Sequence, residues 1–443
     1  MKKCKLGEIA DFKTGPFGTQ FSSSEYTSTG IPMINIENIS NGRLVEGKLQ
    51  YISEETKKRL SVHVVKEGDI VFGRAGSVDR HLYIFNEYEG YVQGSNCIRM
   101  RPTINVNSRY LSYYLLLPSV KKQILNQSAG SVQAFLNTDK LKSINIVIQD
   151  DADRIAKFLD SIESKIFVNN KAIRTLESLS KTLYDYYFLQ FDFPDEKGRP
   201  YKSSGGKMEY NAELGREIPA GWKVKPLSRF FQNERNGEWG TDEITKTNQL
   251  KVTCIRGADF PAANGYESLK SPIRFISPQK SDRIVQAGDL IIEISGGSPT
   301  QSTGRVCYIN QELLNRIDSP TTTSNFCKIV SIANKDYFYF AYMTWQRLYE
   351  SNAFFNFEGK TTGLKNLLFD MAVSSIKLAC PPADIVRKYQ VVTQRNFSKI
   401  QSLADENRHL TALRDFLLPL LMNGQVGFKT PTSPNTKEAP HEP

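Results

Sequence analysis

The sequence predicts a mixed α/β (α+β) fold that occurs twice in one chain, each globule being followed by a long helix of the coiled-coil kind. Two observations predict it: an apolar stripe of heptad spacing that appears twice, and matching segments upstream of each stripe. The first stripe runs from Ile155 to Tyr187, with Ile155, Leu159, Ile162, Ile166, Ile173, Leu176 and Leu183 at steps of three and four, and with Asn169 and Ser180 as polar seam members. The span contains no Gly or Pro, and charges such as Asp160, Glu163, Lys165, Lys171 and Arg174 fall off the stripe. About 35 residues at ~1.5 Å each give a helix of about 50 Å. The pattern returns from Tyr389 to Leu421 with Ile400, Leu403, Leu410, Leu413, Leu417 and a polar Asn407.

The two halves also align upstream of the helices. Leu6 meets Leu227 and Ile34 meets Ile255, and Gly68-Asp69-Ile70-Val71 meets Gly288-Asp289-Leu290-Ile291. Tyr83-Ile84 meets Tyr308-Ile309, Ser95-Asn96 meets Ser324-Asn325, and Gly130 and Asn137 meet Gly359 and Asn366. Ser143-Ile144 meets Ser375-Ile376, and Ser164-Lys165-Ile166 meets Ser398-Lys399-Ile400. After one small backward step the offset only grows, as loop insertions would make it, so the chain reads as a duplicated domain rather than a solenoid.

Composition fits this division. The 443 residues suffice for two to four domains, each burying its own core, and 40% hydrophobic with 11% aromatic content is ordinary for globular protein. The net charge of +10 is compatible with a polyanionic partner, a weak indication taken alone. The six cysteines form no CxxC pair, no signal segment opens the chain, and no run approaches the length of a membrane span; the expected setting is the reducing cytoplasm.

Residues 1–150 form the first globule. Lys5 to Phe12 reads as a short helix or strand, and Gly15-Pro16-Phe17-Gly18 as a turn. Strands are predicted at Ile31–Ile36, Ile70–Phe72, His81–Phe85 and Ser95–Met100, and one helix at Arg109–Leu125 with Tyr110, Tyr113, Tyr114 and Leu117 on a buried face. The first long helix occupies 151–190. Residues 191–225, rich in Gly, Pro, Ser and charge, read as a linker and lead-in strand. The second globule covers 226–384, with Phe338 to Leu348 in place of the Tyr-rich helix. The second long helix covers 385–425, and 426–443 read as a disordered tail.

Signals of catalysis fail on inspection. Gly359-Lys360-Thr361 resembles the end of a phosphate loop, but Phe354 stands where the first glycine belongs. Asp289 with Glu293 suggests a nuclease pair, yet Ser295 replaces the lysine and Gly73 replaces Glu293 in the other repeat. His63, His81, His409 and His441 lack metal-ligand spacing, and neither a GxGxxG loop nor the Asn-Pro-Pro-aromatic motif of amino-methyltransferases is present. The expectation is a chain without chemistry, metal or cofactor of its own.

What remains is a set of polar, Gly-punctuated loops at matching places in the repeats. In the first globule the candidates for DNA contact are Lys13, Thr14, Thr19, Gln20, Arg74, Ser77, Arg80 and Gln133; in the second they are Arg256, Ser298, Thr300, Gln301, Arg305, Lys360 and Thr361. Such side chains hydrogen-bond base edges, and Gly lets backbone approach phosphate. Any one of them also fits a plain solvated turn; the set, repeated with different residues, suggests two different half-sites.

With GDIVFGRAGSVDR, GDLIIEISGGSPTQSTGR, the two seam helices and REIPAGWKVKPL in view, the chain resembles the specificity subunit of a type I restriction–modification system over essentially its whole length. The resemblance implies two target-recognition domains, each reading half of a split DNA sequence, separated by two long antiparallel coiled-coil helices that act as spacer and docking site. It also implies partners: double-stranded DNA, two methyltransferase subunits, and restriction/translocase subunits. S-adenosylmethionine, ATP and Mg then belong to those partners, and this chain is a non-catalytic subunit. The GGSPTQSTG loop is longer than its counterpart, which weakens the carry-over of contacts there. Two readers on one duplex sit one or more helical turns apart, ~34 Å each, and a ~50 Å helix pair suits that span. Helix length would set the gap, and Asn169 and Asn407 would fix register. Two rivals remain: a coiled-coil adaptor for protein partners, and an enzyme with a cryptic nuclease site.

Overall fold

The computed structural model describes residues 1–45, 47, 49–103, 106–128, 135–266, 269–296, 300–361 and 364–428. The chain divides into two compact units, one built from 1–164 and from 411 onward, the other from Lys165–Leu410. Among the described residues, no helix is long and apolar enough to cross a membrane.

The duplication read in the sequence is a duplication of topology. The first unit has an antiparallel sheet ordered Ala10–Thr14, Cys97–Pro102, Ile70–Gly73, His81–Tyr83; the second repeats it as Phe231–Asn236, Cys327–Ile332, Asp289–Glu293, Val306–Tyr308. In a smaller mixed sheet, Ile31–Ile34 lies parallel to Val92–Gln93 and antiparallel to Gln50–Ile52. Leu250–Ile255 stands likewise, parallel to Thr321–Thr323 and antiparallel to Ile273–Ile276. Each repeat is closed by a strand pair, Lys2–Lys5 with Asn145–Ile148 in the first and Lys223–Pro226 with Lys377–Cys380 in the second.

The Gly-Asp segment has a physical role in both copies. The strand after it is buried, Ile70, Val71 and Phe72 and likewise Leu290, Ile291 and Ile292 being wholly inaccessible. The aspartate caps the preceding turn, Asp69 accepting from the Lys66 amide and Asp289 from the Gln286 amide. Each buried carboxylate is neutralised by arginine, but from different strands: Arg101 at 2.7 Å in the first unit, Arg235 at 2.7 Å in the second, where Ser331 occupies the place of Arg101. A buried carboxylate needs such a partner whichever strand supplies it.

Two expectations need correction. The predicted helix Arg109–Leu125 is two helices, Ser108–Tyr114 and Pro118–Ser128. Pro118 has no amide hydrogen and disfavours helical backbone before it, so it opens a new helix instead of continuing the old one. The supposed linker 191–225 is folded. Phe193 stacks on Tyr201 (4.7 Å) and Trp222 (5.4 Å), while Met208–Asn211 pairs with Arg216–Pro219 as a hairpin. Ile218 and Trp222 of REIPAGW thus enter the second unit's core.

The long helices span Ala152–Tyr184 and Ala383–Met422. In the first unit, Ile155 and Leu159 bury in one cluster with Leu418, Leu421 and Met422, and Leu417 packs at its margin. Ile162 is also buried. Glu163 takes Arg414 at 2.5 Å and Arg43 at 3.2 Å. Leu413 is 44% exposed, the seam position beside it being held by Arg414. In the second unit, Asn169 donates to Asn407 (3.0 Å) and Glu406 (2.9 Å), Asn407 donates to Asn170 (2.9 Å), and Asn396 donates to Ser180 (3.0 Å). Numbering rises on one helix as it falls on the other, so the pair is antiparallel. Ile173, Ile400 and Leu403 are buried there, with Leu176 and Leu183 packed against them; Ile166 and Leu410 are half-buried. The first helix ends in a wide turn at Asp185–Leu189, and Phe191 then takes a left-handed conformation (φ 63°) that seats its ring in the core. The predicted tail lies, from 429 on, outside the described residues.

Candidate nucleic-acid interface

In each unit three loops leave the same end of the antiparallel sheet and are tied together by backbone hydrogen bonds in the same pattern. In the first unit the Gly15 amide donates to Cys97 (2.9 Å), the Arg74 amide to Asn96 (2.8 Å), and the Leu136 amide to Arg74 (2.9 Å). In the second, Gly237 donates to Cys327 (3.0 Å), Ile294 to Phe326 (2.8 Å), and Leu367 to Ile294 (2.8 Å). The glycines are required by this approach: a Cβ at Gly15 would lie 1.9 Å from the Gly94 carbonyl oxygen, and at Gly237 2.1 Å from that of Ser324. Phe17 therefore corresponds to Trp239, Arg74 to Ile294, and Asn96 to Phe326, one residue beyond the Asn325 that the sequence alignment pairs with it.

The corresponding places carry different chemistry. In the first unit the Arg74 guanidinium lies between two rings, 4.8 Å from the centroid of Phe17 and 4.7 Å from that of Phe135. Both phenylalanines are exposed, at 44% and 40%. In the second unit Trp239 and Phe326 wall a cavity of about 470 Å³ that also touches Arg256, Ala258 and Glu293. Phe326 is 56% exposed. Bulk is exchanged between the repeats at the floor. A side chain at Gly73 would strike Ile36 (2.9 Å), whereas one at Gly257 would strike the Glu293 carboxylate (2.6 Å).

Lys13 and Thr14 lie on the strand leading to Gly15, Lys13 exposed and Thr14 half-buried; Thr19 and Gln20 are exposed on the turn after Phe17. Ser77 and Arg80 are exposed on the loop after Arg74. Gln133 and Ser298 lie outside the described residues, as do the side chains of Lys360 and Thr361. Thr300 is exposed, and Gln301 donates to the Tyr349 hydroxyl at 3.0 Å.

Arg256 and Arg305, expected as DNA contacts, each hold a carboxylate of the protein itself, with side chains 43% and 31% exposed. Arg256 holds Asp259 through Nε and Nη2 (2.9 and 2.8 Å), and Arg305 holds Glu293 likewise (2.9 and 2.5 Å). Those hydrogen bonds raise both guanidinium pKa values above the ordinary one. Arg256 lines the cavity, and Arg305 holds Glu293, which lines it too. The Asp289–Glu293 pair is also accounted for: Asp289 serves Arg235, Ser331 and a turn, and Glu293 serves Arg305. No group of three or more metal-ligating side chains occurs among the described residues.

The aromatic members of the site, Phe17, Phe135, Trp239 and Phe326, were missed by a reading that looked for polar loops. A signal existed: Gly15-Pro16-Phe17-Gly18 and Gly237-Glu238-Trp239-Gly240 place an aromatic in the same glycine frame of each repeat.

Comparison with known proteins gives this interface a context. Residues 1–194 match the type I restriction modification DNA specificity domain. The MjaIX specificity subunit of a type I restriction enzyme from Methanocaldococcus jannaschii is 23% identical, over 96% of this chain and 93% of its own length. The HindI specificity subunit from Haemophilus influenzae is 21% identical, over 96% and 99%. A type I restriction–modification S subunit structure from M. genitalium aligns over 94% of each chain with a TM-score of 0.56 at 14% identity, a likeness of fold. With the same topology in both units, this chain is similar over nearly its whole length to specificity subunits of type I restriction enzymes, and its residues 1–194 match their DNA specificity domain.

Proposed function

We propose that this chain recognises a split double-stranded DNA sequence, one unit for each half-site, and docks methyltransferase and restriction subunits while doing no chemistry itself. The observation that carries this reading is the exchange of chemistry at one place in a repeated scaffold. An arginine between two phenylalanines in one unit stands where the other has Ile294 beside a Trp239–Phe326 cavity. Identical half-sites would call for identical residues there. Methyl transfer from S-adenosylmethionine and ATP- and Mg-dependent translocation and cleavage are assigned to the partner subunits. The test is to co-express the chain with a methyltransferase subunit and map adenine methylation on genomic DNA. Two short defined sequences with a fixed gap are expected. A stable complex that methylates no such motif overturns the bipartite reading, and cleavage or methylation by the chain alone overturns the division of labour.

In this reading the length of the antiparallel helices sets the gap. Removing two turns from each should shorten the methylated motif's gap and leave both halves unchanged. An unchanged gap refutes the idea. The Asn169–Asn407 and Ser180–Asn396 pairs oppose slippage, because a shifted register would leave the buried Asn169 amide without its partner.

A further inference from the structure

We infer that Arg74 reads a guanine, which makes it the specificity-determining side chain for one G·C pair in the first unit's half-site; this rests on the DNA-reading function proposed above. Three features set Arg74 apart from the other arginines of the interface. Arg256 and Arg305 are bound to internal carboxylates, whereas no carboxylate among the described residues pairs with Arg74. Its Nε is enclosed and makes no hydrogen bond among the described residues. The two rings, at 4.8 and 4.7 Å, fix the plane of the guanidinium. A planar fork held at its root and free at its tip matches the O6 and N7 acceptors of guanine in the major groove, the commonest bidentate base contact of arginine.

Phosphate attraction needs no such clamp, since a mobile lysine or arginine satisfies it. Two phenylalanines 44% and 40% exposed beside the fork also favour base edges and thymine methyl groups over a hydrated phosphate.

The experiment compares methylation motifs of complexes carrying wild-type chain, Arg74→Ala, Arg74→Lys and Phe135→Leu, each co-expressed with the methyltransferase subunit. The wild-type motif is expected to contain a G·C pair that Arg74→Ala turns degenerate, with a loss of preference of roughly tenfold or more. The opposite half-site stays unchanged. Lysine keeps the charge without the fork, so Arg74→Lys should retain salt-dependent affinity and lose most of the preference. Phe135→Leu, which removes one wall, should weaken preference severalfold at the same position. Uniform weakening at every position, a lysine variant with wild-type preference, or a relaxed position other than G·C overturns the assignment. A wild-type complex that methylates no split motif overturns the bipartite reading, and this assignment with it.

Discussion

The two units use one scaffold for two kinds of surface. In the first, Gly73 leaves room for Ile36, and the loop beyond it delivers a charged side chain, Arg74, between two rings. In the second, Gly257 leaves room for Glu293, whose carboxylate draws Arg305 inward and leaves an aromatic-walled cavity. The backbone ties under both are the same. The difference teaches that the framework is conserved by hydrogen bonds among backbone groups, which are indifferent to side chains, while recognition rests on a few positions that those bonds leave unconstrained.

The comparison is broken most severely by disrupting one unit's framework alone. Trp345 is fully buried in the second unit, stacks on Phe354 and Phe369, and donates to the Gly304 carbonyl at 2.7 Å. Trp345→Ala should cost about 3–5 kcal/mol, through a cavity and an orphaned carbonyl. Thermal unfolding should show the loss, and in the complex the second half-site should vanish from the motif while the first persists. Equal loss of both would mean that the units do not function separately.

Acid should sharpen the comparison. Burial holds His81 at about 3 and His63 at about 4, helped by Lys121 and Arg109 in the first case and by Lys13 and Arg99 in the second. Both belong to the first unit. A histidine with a depressed folded pKa contributes stability that is intact above its unfolded value of ~6.5 and is lost as pH falls toward the folded one. Stability of the first unit should therefore decline from pH ~6.5 downward, by roughly 1 kcal/mol per pH unit for each histidine until the folded values are approached. His81→Gln should flatten that slope in urea melts at pH 7 and 5. An unaltered slope would remove His81 from the account.

The smallest expected effect is at the cavity. Trp239→Leu removes one wall of the second unit's site and should weaken discrimination at one position of its half-site by ~1 kcal/mol, several-fold in methylation preference, with the first half-site untouched. Relaxation in the first half-site instead would reverse the assignment of units to halves.

Much of the architecture was legible because it is written in local periodicity. The heptad stripe, the buried Ile70–Gly73 strand and the matched Gly-Asp segments need only neighbouring residues to be recognised. The linker reading failed for the converse reason. Phe191, Phe193, Tyr201 and Trp222 are scattered among Gly, Pro and charge, and their common cluster exists only after folding. Pro118 was a visible stop signal, outweighed by the apolar spacing around it.

The candidate site was legible as a set of loops and opaque as a set of contacts. Sequence by itself determined the duplication, the long paired helices and the glycine-framed loops, since repetition, heptad spacing and glycine's lack of a Cβ are properties of short segments. Only the tertiary structure decided which arginine remains available. Whether the fork of Arg74, Arg256 or Arg305 is engaged within the protein depends on a carboxylate lying within about 3 Å of it. Arg256 and Arg305 find theirs at Asp259 and Glu293. Arg74 finds Phe17 and Phe135, 57 and 61 residues away along the chain, and is held between them by cation–π attraction without being neutralised.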